Sequence, residues 1–200
     1  MTGPGHEKPP APDTGSVAPP IPLALAHLPV VAGLAVPWIT PRTPDGRYLF
    51  GVIETGRQAQ CLHQRRCQVC GRKLSRLSVL LVRGSDLPRR RISEPALHPW
   101  CARYTIAACP MVAGRLSRYR ATERDYRGIA NAAPDTPLRL GAPAEPWYAV
   151  WLTAYEVVTD PVTSSLAASF ASPPPIRIRP ISGAPEPPSA LERLWRLFDV

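Results

Sequence analysis

The apolar positions of this chain fall into short stretches separated by turn-forming residues, with no long amphipathic repeat and no internal repeat. The first stretch, Ile21 to Ile39, is uncharged and apolar, and is interrupted by Pro22, Pro29, Pro37 and His27. It has the length of a membrane span. Three prolines and an imidazole do not suit such a span, however, and a long neutral leader does not suit a signal peptide. No membrane role is assigned, and the stretch is expected as an extended segment packed on the core. Pro44-Asp45-Gly46 signals a turn, and Tyr48 to Glu54 reads as a strand rich in aromatic and β-branched residues. Arg57 to Arg66 holds no strong breaker and predicts a short helix. Leu77 to Arg83 has strand character and ends at the turn residues Gly84-Ser85-Asp86, after which Arg89-Arg90-Arg91 is expected on an exposed loop.

Trp100 to Ala108 has no breaker before Pro110, and Pro99 suits the first position of a helix. Trp147 to Val158 is the strongest strand pattern, apolar on both faces until Glu156, as a central strand reads. Its Trp147, Trp151 and Tyr155 are expected in the core rather than in a binding box. Ile176 to Ile181 alternates as an edge strand would, and Leu191, Leu194, Trp195 and Phe198 fit a short amphipathic terminal helix. The pattern predicts an α+β fold: a small mixed or antiparallel sheet with few short helices.

Composition sets the boundaries. Of 27 prolines, 11 fall in residues 1–44 and 8 in residues 161–188, so both ends disfavour helices and central strands. Residues 1–20 are polar, rich in Pro and Gly, and too poor in apolar side chains to offset the entropy of ordering, so they are expected to be a disordered leader. Residues 21–160 are expected as the folded domain, and 161–200 as a Pro-rich extension carrying the edge strand and the terminal helix.

Charge narrows the picture further. The net charge is +9, yet residues 57–127 hold 16 Lys+Arg against 4 Asp+Glu, and the remainder holds 8 against 11. The basicity therefore belongs to one segment. That segment also holds all five cysteines. Cys67-Gln68-Val69-Cys70-Gly71 and His98-Pro99-Trp100-Cys101 are two ligand pairs with the spacing of a structural zinc site. Two cysteines at i and i+3 in a tight turn point both sulfurs at one ion, and Gly71 permits the positive φ that such a knuckle needs. His98 and Cys101 sit just before and within the first turn of the expected helix, whose positive end favours thiolate. Knuckle, strand and helix start around one ion is a treble-clef-like plan. Four protein ligands leave no position for water, so one structural zinc ion is expected and a catalytic zinc is not. Deprotonation of three thiols and binding of one Zn²⁺ would lower the net charge by about one.

Cys61, His63 and Cys109 are the other residues able to ligate. Cys61 and His63 stay open as substitutes for one of the four, whereas Cys109 lies about 12 Å beyond Cys101 along a continuous helix. A Cys61–Cys109 disulfide is disfavoured by the metal motif, which points to a reducing compartment and a cytoplasmic protein. A thioredoxin-like redox site is disfavoured because no βαβ pattern surrounds the cysteines.

Cys67 to Leu74, Glu94-Pro95, His98 to Tyr104, Ala108-Cys109-Pro110 and the arginines after Gly114 together resemble a group of small bacterial proteins built on a CxxCG…HxxC…ACP core. The likeness covers roughly residues 35–127. It departs from the group in the spacer Arg83 to Pro88, where a more apolar, glycine-bearing segment is expected. The resemblance implies a zinc-finger-like core and no particular activity.

Beyond the helix, Arg115, Arg118, Tyr119, Arg120 and Arg127 interleave cations with aromatic rings. With Arg89, Arg90 and Arg91 they are the candidate contacts to DNA or RNA, through phosphate neutralisation and base stacking. A solvated basic face is the plainer reading of the same residues. There is no Gly-rich phosphate loop, no paired-carboxylate logic around Glu54 or Asp86, and no indication of a small-molecule substrate. An HNH-like nuclease needs a histidine base beside a metal, and His6, His27 and His63 sit in no such setting. The expectation is a non-enzymatic, zinc-stabilised binding module that contacts nucleic acid. The alternatives are a protein-interaction scaffold and a metal-dependent nuclease.

Overall fold

A computed structural model describes residues 18–121, 139–181 and 183–185. Most of the leader, Arg127 and the expected terminal helix lie outside the described residues. Among those described are two α-helices, α1 (Thr55–His63) and α2 (Pro99–Ala108). The strands are β1 (Val30–Val31), β2 (Leu34–Ala35), β3 (Ser78–Arg83), β4 (Arg91–Ile92), β5 (Trp147–Leu152), β6 (Glu156–Thr159), β7 (Leu166–Ser169) and β8 (Arg177–Ile181).

The central sheet is antiparallel in the order β3-β5-β8, with Leu81 opposite Ala149 and Val150 opposite Ile178. Alternation sends successive residues of β3 and β5 to opposite buried faces, which explains the apolar runs at residues 79–82 and 147–152. Val79, Leu81, Trp147 and Ala149 join one buried cluster with Leu25, Leu97, Tyr104 and the cysteines Cys67, Cys70 and Cys101. Leu80, Val82, Tyr148, Val150 and Leu152 face the other way and pack with Leu62, Leu87 and Phe170. The second sheet, β4-β7-β6, is also antiparallel and belongs to this second cluster through Ile92 and Ala168. The main sheet is thus a partition, with α2 and the knuckle on one side and α1 with the small sheet on the other.

Four expectations are corrected. Tyr48 to Glu54 is not a strand. Tyr48 forms one bridge to Arg42, Gly51 turns at φ 76°, and Glu54 caps α1 by accepting from the N–H groups of Gly56 and Arg57. A carboxylate at the N-cap outcompetes the apolar pattern for that residue. The run from Ile21 to Ile39 packs on the core as expected, with Leu25, Leu28, Val36 and Ile39 buried, but it is folded rather than extended. A 3₁₀ turn at Leu23–Leu25 leads into the β1–β2 hairpin, whose turn uses positive φ at Ala32 and Gly33. Trp147 to Val158 is two strands. Leu152 lies opposite Ser78, the first residue of β3, so β5 has no further partner there. The chain bends at Tyr155, whose hydroxyl donates to the carbonyls of Cys61 and Leu62, and continues as β6 in the other sheet.

The fourth correction concerns Arg89-Arg90-Arg91, which does not form an exposed loop. All three are half-buried, Arg91 opens β4 opposite Ser169, and the Arg90 carbonyl accepts from Phe170. Two short strands and a set of carboxylates draw the segment inward. β8 is the expected edge strand, and β7 and β8 complete the two sheets.

Candidate metal centre

The knuckle is set by backbone hydrogen bonds that follow from its turn residues. α1 ends at Gln64, Arg65 takes a left-handed conformation, and the chain enters a hairpin in which Leu74 donates to Arg65 and Cys67 to Arg72. The Gly71 N–H closes the turn on the Cys67 carbonyl at 2.9 Å, with φ at 71°. That glycine is required twice, because a Cβ there would come within 2.8 Å of Trp38 Cγ. Trp38 itself is held by its N–H to the Val69 carbonyl, and His27 Nε2 lies 3.3 Å from the Cys70 carbonyl, so the N-terminal segment braces the turn from outside.

The second pair comes from the start of α2. His98 is the N-cap residue in extended backbone, Pro99 opens the helix, and Cys101 lies in its first turn. Val79 and Leu97 exchange backbone hydrogen bonds, which fastens the approach to His98 onto β3. The result is one buried group: the ligand atoms of Cys67, Cys70, His98 and Cys101 all lie within 4.8 Å of one another. Donors on a tetrahedral zinc shell sit roughly 3.8 Å apart, so the group needs only a small contraction around one ion.

The electrostatics suit a cation. Burial pushes the Cys67 thiol up to about 11. Hydrogen bonds to Cys67 and Cys70, and then burial, raise Cys101 further. Cys70 receives hydrogen bonds from Cys101 and Cys67, which hold its thiol well below the ordinary value. Burial of three thiols together disfavours their joint ionisation, and positive charge at the centre would offset that. Backbone N–H groups also serve the sulfurs, that of Cys70 toward Cys67 and that of Arg72 toward Cys70.

His98 is oriented for the same task. Its Nε2 lies 2.9 Å from the Lys73 carbonyl, which can only accept, so Nε2 carries the proton. The lone pair of Nδ1 is then free to face the cluster, 3.4 Å from Cys70 Sγ. An imidazole whose outer nitrogen is tied to a carbonyl is the usual supporting arrangement of a metal ligand. The residues present fit one metal ion.

The alternative ligands lie elsewhere. Cys61 is buried beside the cluster but outside it, and burial, then the neighbouring Cys67, push its thiol up to about 12, so it behaves as a small apolar side chain. His63 is exposed at the end of α1. Cys109 caps the far end of α2, half-buried, with its thiol raised by burial.

The expected nucleic-acid contacts are dispersed. Arg89 pairs with Asp160 and lies 3.7 Å from Asp86, and Arg91 donates to the Arg89 carbonyl. Arg115 donates to the carbonyls of Ala107 and Ala108 and so closes the C-terminus of α2. Arg118 is exposed and donates to the Gly141 carbonyl, and Arg120 is exposed. Tyr119 is half-buried beneath the Arg139 guanidinium at 5.9 Å, which leaves little open ring for a base.

The residues missed in the sequence flank the ligands. Arg72, Lys73, Arg76 and Arg103 are exposed, and none has an ion-pair partner among the described residues. Trp100 stacks on His98 and remains exposed. A usable signal was present: residues 55–85 contain seven Lys+Arg and residues 95–122 contain four, and neither span has an Asp or Glu.

Comparison with protein-family models, curated proteins and solved structures gives no match in any of the three. The Cys/His cluster is compatible with a zinc-finger-like core.

Proposed function

We propose that this chain is a zinc-stabilised binding module, with the ion structural and nucleic acid as the partner. The observation that carries it is the buried Cys₃His cluster with His98 held in the ligating tautomer. Three thiolates and an imidazole form a soft, four-donor set of the kind zinc occupies in structural sites, with no position left for water. Cys67, Cys70, His98 and Cys101 hold the ion; bound there, it offsets the thiolate charge and joins the knuckle to α2. Knuckle, strand and helix start follow a treble-clef plan. The reading assigns no catalytic step, and the reduced cysteines fit a cytoplasmic setting. Support for a polyanionic partner comes from the uncompensated cations around the same cluster.

Metal content per chain, thermal unfolding and oligonucleotide binding, each compared with Cys70→Ser, test the reading. The expected result is about one zinc per chain, lost in the variant together with cooperative folding, because structural zinc contributes on the order of 10 kcal/mol in small domains. Binding is expected to weaken steeply with salt. A wild type that binds no metal, with Cys70→Ser folding as cooperatively as wild type, removes the zinc, and no binding at low salt removes the nucleic acid.

A further inference from the structure

We infer that Trp100 is a stacking platform for a base of single-stranded nucleic acid, with Arg72, Lys73 and Arg103 as the phosphate contacts around it. The inference rests on the nucleic-acid reading above and locates the contact on the metal end of the fold, rather than on the arginines after α2.

Trp100 lies between two ligands in the first turn of α2. His98 and Cys101 point into the cluster, and the indole is directed outward by their placement. Its ring lies against the His98 imidazole with centroids 4.5 Å apart and planes 9° from parallel. His98 is itself held by the Lys73 carbonyl at 2.9 Å. The indole is thus supported from behind in one orientation, while the side chain stays 47% exposed. Single exposed apolar residues are ordinary on protein surfaces. A flat aromatic ring, immobilised on one face and open on the other, is a preorganised stacking surface that loses little rotamer freedom on binding.

The surrounding charge selects the partner. Lys73 and Arg72 flank the turn whose carbonyl holds His98, and Arg103 is three residues along α2 from Trp100, on the same side of the helix. All three are exposed, and none has an ion-pair partner among the described residues. An acidic peptide would satisfy the cations but has no flat group for the indole. A duplex offers phosphates but keeps its bases stacked inside. A single strand supplies both at a spacing of one nucleotide, through ring stacking plus phosphate neutralisation, without sequence readout.

The test uses the whole 200-residue chain loaded with zinc, a labelled 12-nucleotide single strand of RNA or DNA, the corresponding duplex, and polyglutamate as competitor. Wild type is expected to prefer the single strand to the duplex. Trp100→Ala should weaken single-strand binding by about 5- to 150-fold, the range of one lost base stack, with the salt slope unchanged. Trp100→Phe should restore most of the affinity. Lys73→Gln and Arg103→Gln should each reduce the salt slope by about 0.7, the increment for one phosphate. If Trp100→Ala loses zinc, Trp100→Phe and the two cation variants decide the matter: full-length salt slopes in Lys73→Gln and Arg103→Gln overturn the inference. Single-strand affinity unchanged in a zinc-loaded Trp100→Ala overturns the platform while leaving nucleic-acid binding intact. Displacement by polyglutamate as effective as by unlabelled single strand overturns base stacking in favour of an acidic protein. A wild type that binds neither strand form overturns the platform together with the nucleic-acid reading.

Discussion

Where β3 turns toward β4, Arg83 donates to Asp86 and Glu94, each at 2.9 Å, and lies over the Trp147 ring at 5.1 Å, while Arg89 pairs with Asp160. At the opposite end, Arg72, Lys73, Arg76 and Arg103 project from exposed positions, and the charge closed internally there belongs to the cysteine cluster. The two regions reverse each other's logic. At the first, carboxylates from the turn after β3, the loop before α2 and the end of β6 neutralise arginines that the fold has buried or half-buried. At the second, buried thiols call for a cation and the arginines around them stay outside. Local pairing, rather than the total charge of a segment, decides which cations serve folding and which are available to a partner.

Replacing Arg83 tests that division most strongly. Its side chain is 7% exposed and that of Asp86 3%, so Arg83→Ala removes the main cation from a buried pair, which typically costs about 3–5 kcal/mol. The lower end is expected here because Arg89 remains 3.7 Å from Asp86. Urea unfolding should show the loss, while the salt slope for single-strand binding, measured on the folded protein at low temperature, should match wild type. A reduced slope would place Arg83 or its neighbours among the contacts and erase the distinction between the two regions.

The same contrast explains what was legible in the sequence. The ligand pairs were readable because each carries its own geometry over four residues: Gly71 marks the turn and Pro99 the helix start. The central strand was readable because burial on both faces leaves an uninterrupted apolar run. Its end was not, because β5 ends at Leu152, opposite the first residue of β3, and nothing in Thr153-Ala154-Tyr155 announces that boundary. Nor was the status of Arg89, since its partner Asp160 lies 71 residues away. Tyr48 to Glu54 misled for a related reason: Glu54 is set by the helix it caps, and an apolar pattern does not weigh a single capping carboxylate. Trp100 went unremarked because its neighbours in sequence are ligands, and its outward direction follows only once theirs is known.

At the metal end, Gly71→Ala is the corresponding probe. The substitution forces an L-residue to φ 71° and brings Cβ within 2.8 Å of Trp38 Cγ, whose backbone is tied to Val69. The left-handed conformation alone costs about 1–2 kcal/mol, and displacing the indole brings the total to about 2–3 kcal/mol. Zinc affinity should fall in the same measurement, because the turn that aims Cys67 and Cys70 is the part deformed. Hydrogen exchange in β6 and β7, on the far side of the central sheet, should be unaffected in the folded state. Faster exchange there, without global unfolding, would show that the two regions are not independent.

The smallest expected effect belongs to Asp160, and its sign is fixed by the carboxylate. Burial alone would raise its pKa, but the N–H groups of Val162 and Thr163 and the Arg89 guanidinium outweigh that and hold it below the usual 3.8. A carboxylate depressed in the folded state stabilises the fold above its unfolded pKa, and that contribution disappears as pH falls through the folded value. Asp160→Asn keeps an oxygen for the two N–H groups and removes the charge facing Arg89, so at pH 7 it should cost about 1.5–2 kcal/mol, the low end of the range for a charge-assisted hydrogen bond. The difference from wild type should narrow as pH drops below 3.8. Comparing variant with wild type at each pH cancels the loss of metal that acid brings to both. A difference that stays constant down to pH 2 would mean that Arg89 gains nothing from Asp160, and Arg89 would then join the cations available at the surface.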